Sequence, residues 1–355
     1  MVMPAVSYAK SEDGVHLAFA RLGSGSPVVI TGGPMLSCQP NVITNPKAFA
    51  FLKMLADQHE LILIDERGTG SSGGDIDSRT AATDANDIQA VVRAAGLAKV
   101  CIFSAFSSTP AALEWAAAHS ERVDRVVLWS PTQRPADIFE SEEARAILGL
   151  CEVDPDLAFR VMIHTLAGWG AGLTGPWLTE LLKESLGIRG ANQLLRRLEI
   201  SDDVLAQVQA DVLVMHPSRS RLLDVEKARQ LTASIPNAHM MLVDAESISP
   251  YAEDIEGTAY SVLDALNTTP GRFEPPATRR WGENFDAAPA HTDSLTPRER
   301  DVLRLIAQGD SSKEIGARLE ISVNTVDRHI SNIYRKLGVR GRAQAAAYAV
   351  KQDIG

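Results

Sequence analysis

Polar and basic side chains are concentrated on one predicted helix near the C-terminus. Residues 296–299 (TPRE) are typical of a helix start, because the threonine and the glutamate cap each other's backbone amides and proline suits the first turn. Residues 312–319 predict a second helix, residues 320–322 a turn, and residues 324–337 a longer, basic helix. Two short helices joined by a tight turn present the second helix to the major groove of DNA. The chemistry that this segment predicts is recognition of bases and phosphates.

The charge distribution agrees with this interpretation. The 355 residues carry a net charge of −10. From residue 294 onward, 11 Lys and Arg residues stand against 7 Asp and Glu residues, a net charge of +4, whereas the rest of the chain has 24 against 38, a net charge of −14. A basic segment on an acidic body is expected when only that segment meets a polyanion, although chance clustering would give the same balance.

The C-terminal segment resembles the LuxR/FixJ-type DNA-binding domain. The similarity runs without a gap, nearly position for position, through LTPRERDVLRLIAQGDSSKEIGARLEISVNTVDRHISNIYRKLGVRGRAQAAAYA. The resemblance implies that five residues of the third helix face DNA: Asn324, Thr325, Arg328, His329 and Lys336. Arg328 would contact guanine through two hydrogen bonds, and Thr325, His329 and Lys336 would mostly hold phosphates. The alternative, a helical bundle used for protein contacts, is disfavoured by this motif.

The same resemblance implies the partners of the segment. These are double-stranded DNA with an inverted-repeat operator and a second copy of the chain, with residues 343–350 as the contact between DNA-binding domains. Asp327 departs from the family, which usually has a basic residue there. Because a carboxylate accepts only from cytosine or adenine amino groups, either the operator is unusual or this contact is lost.

Residues 1–266 alternate apolar, β-branched runs with helical patterns. This alternation predicts an α/β domain with a largely parallel, doubly wound sheet. A hairpin that turns at Asp13-Gly14 predicts antiparallel edge strands at the start. Residues 133–209 predict a helical insertion, which we call the cap, and residues 267–293, with four prolines, predict a linker to a small all-α domain at 294–355. The strand predictions are Ser7–Ala9, Val15–Ala20, Val28–Thr31, Leu61–Asp65, Val100–Phe103, Val123–Trp129, Val212–His216 and His239–Val243.

The region from about residue 5 to residue 266 resembles the α/β-hydrolase fold in its strand order, in the turn DERGTGSS at 65–72 and in the cap. In that family the nucleophile lies on a sharp strand-to-helix turn between small residues. Here the turn reads SAFSS at 104–108, and Phe106 stands at the nucleophile position. Ser220 stands at the acid position and Ile248 at the histidine position. The resemblance implies a hydrolase scaffold without its catalytic triad, and therefore no enzyme.

Apolar residues at the missing polar positions predict a ligand pocket. The loop after the first central strand carries an oxyanion amide in the family, and with the Ser107 amide it would hold a carbonyl or carboxylate oxygen without attack. For each apolar residue alone, plain core packing is the alternative. The predicted ligand contacts are Gly33, Met35, Leu36, Phe106, Ser107, Trp169 and Ile248.

The remaining composition predicts no cofactor. Cys38, Cys101 and Cys151 are odd in number and lack the spacing of a metal site or a redox motif. The N-terminus lacks the pattern of a signal peptide, and no apolar stretch reaches the roughly 18–20 residues of a membrane span, so a cytoplasmic location is expected and no membrane contact.

Three functions remain open. The first is a transcription regulator whose large domain binds a small, largely apolar effector and controls DNA binding. The second is a residual esterase fused to a DNA-binding module, in which Ser107, Ser104 or Cys101 would act with His164 or His216. The third is a regulator whose large domain serves only dimerisation or protein contacts.

Overall fold

The computed structural model describes residues 4–150, 153–169, 172–195, 198–268, 295–308, 310, 312–319, 326, 329–330, 333, 345 and 348–349. The chain divides into two units, Met1–Ala277 and Thr278–Gly355. The division falls inside the predicted linker.

An eight-stranded mixed sheet forms the centre of the N-terminal unit. Its spatial order is β1-β2-β4-β3-β5-β6-β7-β8, in which β2 runs antiparallel to β1 and β4 and all other pairs are parallel. The predicted α/β fold class is confirmed. The strands are β1 (Val6–Lys10), β2 (His16–Gly23), β3 (Ser26–Thr31), β4 (His59–Ile64), β5 (Val100–Ala105), β6 (Val123–Trp129), β7 (Asp211–Pro217) and β8 (Ala238–Val243).

The amino-terminal hairpin differs in one respect from the prediction of two edge strands. β1 lies at the edge, but β2 pairs on both sides. Phe19 of β2 lies opposite Ser7 of β1 on one side and opposite Ile64 of β4 on the other. The hairpin is antiparallel as predicted. The second pairing follows from the buried run Leu17–Ala20, which needs neighbours on both sides.

The central strands are continuous apolar runs because both faces of the sheet are covered. Side chains alternate between two apolar clusters, as the period of two requires. In β3, for example, Val28 and Ile30 belong to one cluster and Val29 to the other. Helices α2 and α10 pack on the first face, and α3 and α4 pack on the second. These helices are α2 (Pro46–Ala56), α3 (Ala81–Ala94), α4 (Thr109–Ala118) and α10 (Ile255–Asn267).

The regular elements among the described residues of the cap are all helices, as predicted. The helices of the N-terminal unit that remain are α1 (Pro40–Ile43), α5 (Glu142–Gly149), α6 (Pro155–Ala167), α7 (Thr174–Leu195), α8 (Asp202–Leu205) and α9 (Val225–Ala233), with 3₁₀ turns at Gly33–Leu36, Ile76–Ser78, Phe106–Ser108, Ser120–Arg122 and Pro135–Glu140. Of these, α5 to α8 lie between β6 and β7. Asp154 caps α6 by accepting from the amides of Asp156 and Leu157, and Gly168, with a φ of 84°, ends it.

A buried arginine fastens the end of α10 to the sheet. Arg125, near the start of β6, pairs with Asp211 of β7 at 3.1 Å. Its guanidinium also donates to the carbonyl oxygens of Ala265 and, at 2.6 Å, of Thr268. The last described residues of the N-terminal unit are thus held by the amino ends of β6 and β7.

The C-terminal unit begins with the predicted capping box. The Thr296 hydroxyl accepts from the Glu299 amide at 3.3 Å, and the Glu299 carboxylate accepts from the Thr296 amide at 2.8 Å. The box starts α11 (Pro297–Ala307), and α12 (Ser312–Leu319) follows. Helical residues at 326, 329–330 and 333 fall within the predicted helix at 324–337. Residues 345 and 348–349, which are also helical, fall within the segment 343–350. The buried apolar side chains among the described residues of this unit are Leu295, Val302, Leu303, Ile306, Ile315, Val326, Ile330, Ile333, Ala345 and Ala349.

Among the residues that the structure describes, none of the helices has both the length and the apolar character that crossing a bilayer requires.

Candidate functional site

The sharp turn between β5 and α4 is formed, with a phenylalanine at its apex. Phe106 follows the last residue of β5 and has a φ of 50°. Among the described residues, Ser130 alone shares a positive φ without being glycine. A bulky residue rarely adopts this conformation, and such outliers persist where the surroundings enforce them. The ring is 7% exposed, so the apex of the turn is an apolar, buried group.

Thr109 holds the turn in this conformation. Its hydroxyl lies 2.7 Å from the Phe106 carbonyl oxygen and 3.2 Å from that of Thr132, and it accepts from the Thr132 amide at 3.1 Å. The turn after β5 is therefore tied to the segment that leaves β6 for the cap.

The space in front of Phe106 is filled with apolar side chains. Met35, Leu36, Phe106 and Ile248 are buried in one cluster, to which the cap adds Phe159, Met162, Ile163 and Leu166. The Ile248 amide donates to the Leu166 carbonyl oxygen at 2.9 Å. The Tyr251 hydroxyl donates to the Met35 carbonyl oxygen at 2.9 Å. The structure thus brings together four of the predicted ligand contacts in the core beneath the cap.

The other predicted contacts lie elsewhere or face other groups. Trp169 is 57% exposed, and its ring lies 5.8 Å from that of His164. Ser107 is half-buried. Among the described residues, no hydrogen bond joins Ser107 to His164 or His216. The Ser220 hydroxyl accepts from the Leu223 amide at 3.2 Å.

The amide of Gly33, which was predicted to hold a ligand oxygen, already donates to a carboxylate. It lies 3.2 Å from Oε1 of Glu66, and the Ser108 hydroxyl donates to the same oxygen at 2.5 Å. The other Glu66 oxygen accepts from Arg79 at 2.5 Å. Glu66 therefore joins the loop after β3, the turn after β5 and the loop before α3.

Buried ion pairs extend this arrangement into α3. Arg79 is 0% exposed and pairs with Asp84 at 2.6 Å, while the equally buried Arg67 pairs with Asp87 at 2.7 Å. Burial raises the pKa of Asp84 although Arg79 opposes the rise. We call Glu66, Arg67, Arg79, Asp84 and Asp87 the charge cluster.

The described cysteines are poor nucleophiles. Burial raises the pKa of the Cys38 thiol, whose Sγ donates to Asp65 at 3.1 Å. Burial also raises the pKa of Cys101 to about 11. Cys151 lies outside the described residues. Among those residues, no group of three or more His, Cys, Asp and Glu side chains is arranged to hold a metal ion.

An open cavity of about 510 Å³ lies beside this core, at the carboxyl ends of β6 and β7. His216 and Ser220 line it, together with Thr132 and Arg221, and none of the seven predicted ligand contacts does so. Thr132 and Arg221 were not singled out by the sequence. The available signal was their place after two central strands, since α/β sheets bind ligands at the carboxyl ends of their strands.

Of the predicted DNA contacts, only His329 is among the described residues, where it is helical and half-buried. Asn324, Thr325, Arg328 and Lys336 lie outside them, as does Asp327. Their contacts to DNA stay predictions.

The comparisons with known proteins fit both units. Residues 293–349 match the family described as bacterial regulatory proteins, luxR family. The C-terminal segment is a LuxR-family DNA-binding domain. The chain is 52% identical over 76 residues to the transcriptional regulatory protein LiaR of Bacillus subtilis, a match that covers 21% of this chain and 34% of that protein. It is 28% identical over 169 residues to the response regulator protein VraR of Staphylococcus saprophyticus, covering 42% and 78%.

The solved structures that resemble the chain are α/β-hydrolases. An esterase from Exiguobacterium antarcticum has a TM-score of 0.62 at 19% identity, covering 74% of this chain and 100% of that one. The esterase RhEst1 from Rhodococcus sp. ECU1013 has a TM-score of 0.61 at 21% identity, covering 74% and 99%. At these identities the likeness concerns the fold. The protein combines a LuxR-family DNA-binding domain with an α/β-hydrolase fold.

Removal of one partner from the charge cluster should destabilise the N-terminal unit. Arg79→Met leaves the carboxylates of Glu66 and Asp84 buried without their cation, so we expect a loss of about 3–5 kcal/mol in the free energy of unfolding. Urea unfolding followed by tryptophan fluorescence measures this loss. The matched control is Lys53→Met, which removes an exposed pair with Asp57 and should change stability by less than about 1 kcal/mol. Equal unfolding midpoints for the two variants would contradict the prediction.

Proposed function

We propose that the protein is a ligand-responsive transcription regulator. In this proposal the hydrolase-like domain is catalytically inactive, binds a small molecule and controls sequence-specific DNA binding by the C-terminal domain. The observation that carries the proposal is Phe106 at the apex of the turn after β5. The strained backbone of a nucleophile turn is retained there, while the side chain has no group that could attack a carbonyl.

The surroundings of Phe106 support a binding role over a catalytic one. The Gly33 amide is occupied by Glu66, so an incoming oxyanion would have to displace a carboxylate. Ser220 and Ile248 stand where the acid and the histidine are expected, and neither can relay a proton from a serine. Met35, Leu36, Phe106 and Ile248 make an apolar floor, and with Gly33, Ser107 and Trp169 they form a first candidate set of ligand contacts. Because the cap packs on this floor, a ligand reaches it only when cap residues move.

Control of transcription requires that the effector has different affinities for two arrangements of the chain. We propose that a homodimer binds an inverted-repeat operator through Asn324, Thr325, Arg328, His329 and Lys336, with the dimer contact at residues 343–350. Effector binding would change the population of the arrangement that fits both half-sites.

Effector control is tested with the full chain and an operator that the chain itself selects from a random DNA pool. Operator affinity is measured by fluorescence anisotropy with and without the protein-free, low-molecular-mass fraction of a lysate of the source cells. We expect this fraction to change the affinity by at least about fivefold, the lower end of common allosteric couplings. Unchanged affinity, together with no bound small molecule in native mass spectrometry, would instead assign the large domain to dimerisation or protein contacts.

The assignment of the recognition helix is tested by two substitutions. Arg328→Ala should weaken binding to the selected operator by about 1–3 kcal/mol and relax preference mainly at one base pair. Lys336→Ala should weaken binding to all sequences alike and reduce the slope of affinity against salt concentration by about 1, because it removes a phosphate contact. An Arg328→Ala variant that keeps full operator affinity in a gel-shift titration would show that the helix is placed wrongly.

A residual esterase is the second candidate, because the fold is shared with esterases and the half-buried Ser107 adjoins the turn. We expect no hydrolysis of p-nitrophenyl butyrate above the buffer rate, either by the native chain or by Phe106→Ser, since neither has a base to activate the hydroxyl. Turnover by the native chain that disappears in Ser107→Ala would establish the esterase and overturn the inactive site.

A further inference from the structure

The cavity at the carboxyl ends of β6 and β7 is a preformed space outside the apolar core. Its volume of about 510 Å³ lies within the range of roughly 300–1,000 Å³ that small-molecule sites occupy. One wall is the segment that leaves β6, including the 3₁₀ turn Pro135–Glu140, and the other is the loop from β7 to α9. A molecule placed there would touch both the cap and the sheet domain.

Two buried polar side chains on the wall have unused hydrogen-bonding capacity. His216 is 1% exposed, and neither of its ring nitrogens has a partner among the described residues. The Leu223 backbone lies near the ring and favours its charged form, while the Leu223 amide donates to Ser220. The Thr132 hydroxyl oxygen is also buried without a partner among those residues. Since buried polar groups are nearly always paired, these two side chains, one after β6 and one near the end of β7, point to polar groups of a ligand in the cavity.

The protonation state of His216 limits which chemical group of a ligand can contact it. Burial lowers the pKa of His216, so the ring is neutral near pH 7 and offers one donor and one acceptor nitrogen. Thr132 also both donates and accepts. Hydroxyl and carbonyl groups match these requirements without bringing a charge next to the buried ring.

Three cations and three carboxylates line the cavity, and among the described residues Arg221 and Asp224 are the two of these without an ion pair. The Asp224 carboxylate accepts from the Glu226 amide and caps α9, whereas Arg221 has no such role. Lys227 pairs with Asp137 at 2.9 Å and with Glu140 at 2.7 Å, and Arg134 pairs with Asp137 at 2.8 Å. Arg221 also lines the cavity, and within the described part of the chain it has no ion pair. A guanidinium in this position binds a carboxylate well, because its planar donors match the two oxygens.

We propose that this cavity is the effector site and that the effector is a small monocarboxylic acid with an apolar body and a hydroxyl or carbonyl group. Its carboxylate pairs with Arg221, its hydroxyl or carbonyl group contacts His216 and Thr132, and its body packs on Ile138, Leu222 and Leu223. This proposal rests on the proposed function in one respect, because an effector is a ligand whose binding controls the DNA-binding domain.

Binding is tested on the full chain with a fixed panel of aliphatic and aromatic hydroxy and oxo monocarboxylates, each paired with its primary amide. Isothermal titration calorimetry should find acids that bind about tenfold more tightly than their amides, because the amide loses the charge-assisted contact. Arg221→Met should lose about the same tenfold, and His216→Phe should weaken acids and amides alike. Arg221 is exposed, so its substitution leaves the core intact even if His216→Phe folds poorly.

The matched control is Arg219→Met, two residues away. Arg219 pairs with Asp244 and Glu253 and does not line the cavity, so this variant should bind the acids like the native chain. The proposal is overturned if no acid of the panel binds, if acids and amides bind equally, or if Arg219→Met weakens binding as much as Arg221→Met does.

Measurements of operator affinity distinguish a failure of this site from a failure of the proposed function. An acid that binds through Arg221 but leaves operator affinity unchanged upholds the site and overturns effector control. A lysate fraction that changes operator affinity equally in the native chain and in Arg221→Met upholds effector control and overturns the site.

Discussion

The carboxylate of Glu66 joins three parts of the N-terminal unit, two of which follow the paired strands β3 and β5 while the third precedes α3. It accepts from the backbone of the loop after β3, from the turn after β5 and from the side chain that precedes α3. All of this occurs in a largely buried place, where a carboxylate is stable only when it is fully hydrogen-bonded and paired with a cation. Arg79 supplies that cation and is itself held by Asp84. The positions of the two loops that would form a hydrolase site therefore depend on a fixed charge and not on a substrate.

The turn after β5 shows what happens when such a scaffold is kept without a nucleophile. Phe106 retains the strained backbone, but its ring joins the apolar cluster that also includes Ile248 and the inner side of the cap. Burial of these side chains stabilises the packing of the cap on the sheet. Open space is found instead further along the sheet, near Ser220 and His216. The elements around the turn are retained, whereas the open cavity lies beside them.

Local patterns made much of this fold predictable. Strands β3 to β8 lie within two residues of their predicted ends, because the parallel strands of this sheet are apolar, β-branched runs. The capping box of α11 was predictable because both partners are three residues apart. The pairing of β2 with β4 was not, since it depends on a neighbour more than forty residues along the chain.

The site was less predictable than the fold, for the same reason. Gly33 and Ser108 lie 33 and 42 residues from Glu66 in the sequence. The local sequence therefore does not indicate that the Gly33 amide already donates to a carboxylate. Trp169 was expected over the pocket from its residue type alone, and its exposure depends on how the cap helices pack. The cavity lies between two segments separated by the whole cap, and only the rule about strand ends pointed toward it.

Through the contacts of Arg125, β6 and β7 connect the cavity to the end of α10. At their carboxyl ends these strands border the cavity. At their amino ends Arg125, paired with Asp211, donates hydrogen bonds to the last turn of α10. The chain continues from this turn toward the DNA-binding domain. Because β6 is also paired with β5, and β7 with β8, a shift of these strands at the cavity end would involve the neighbouring strands as well as the end of α10.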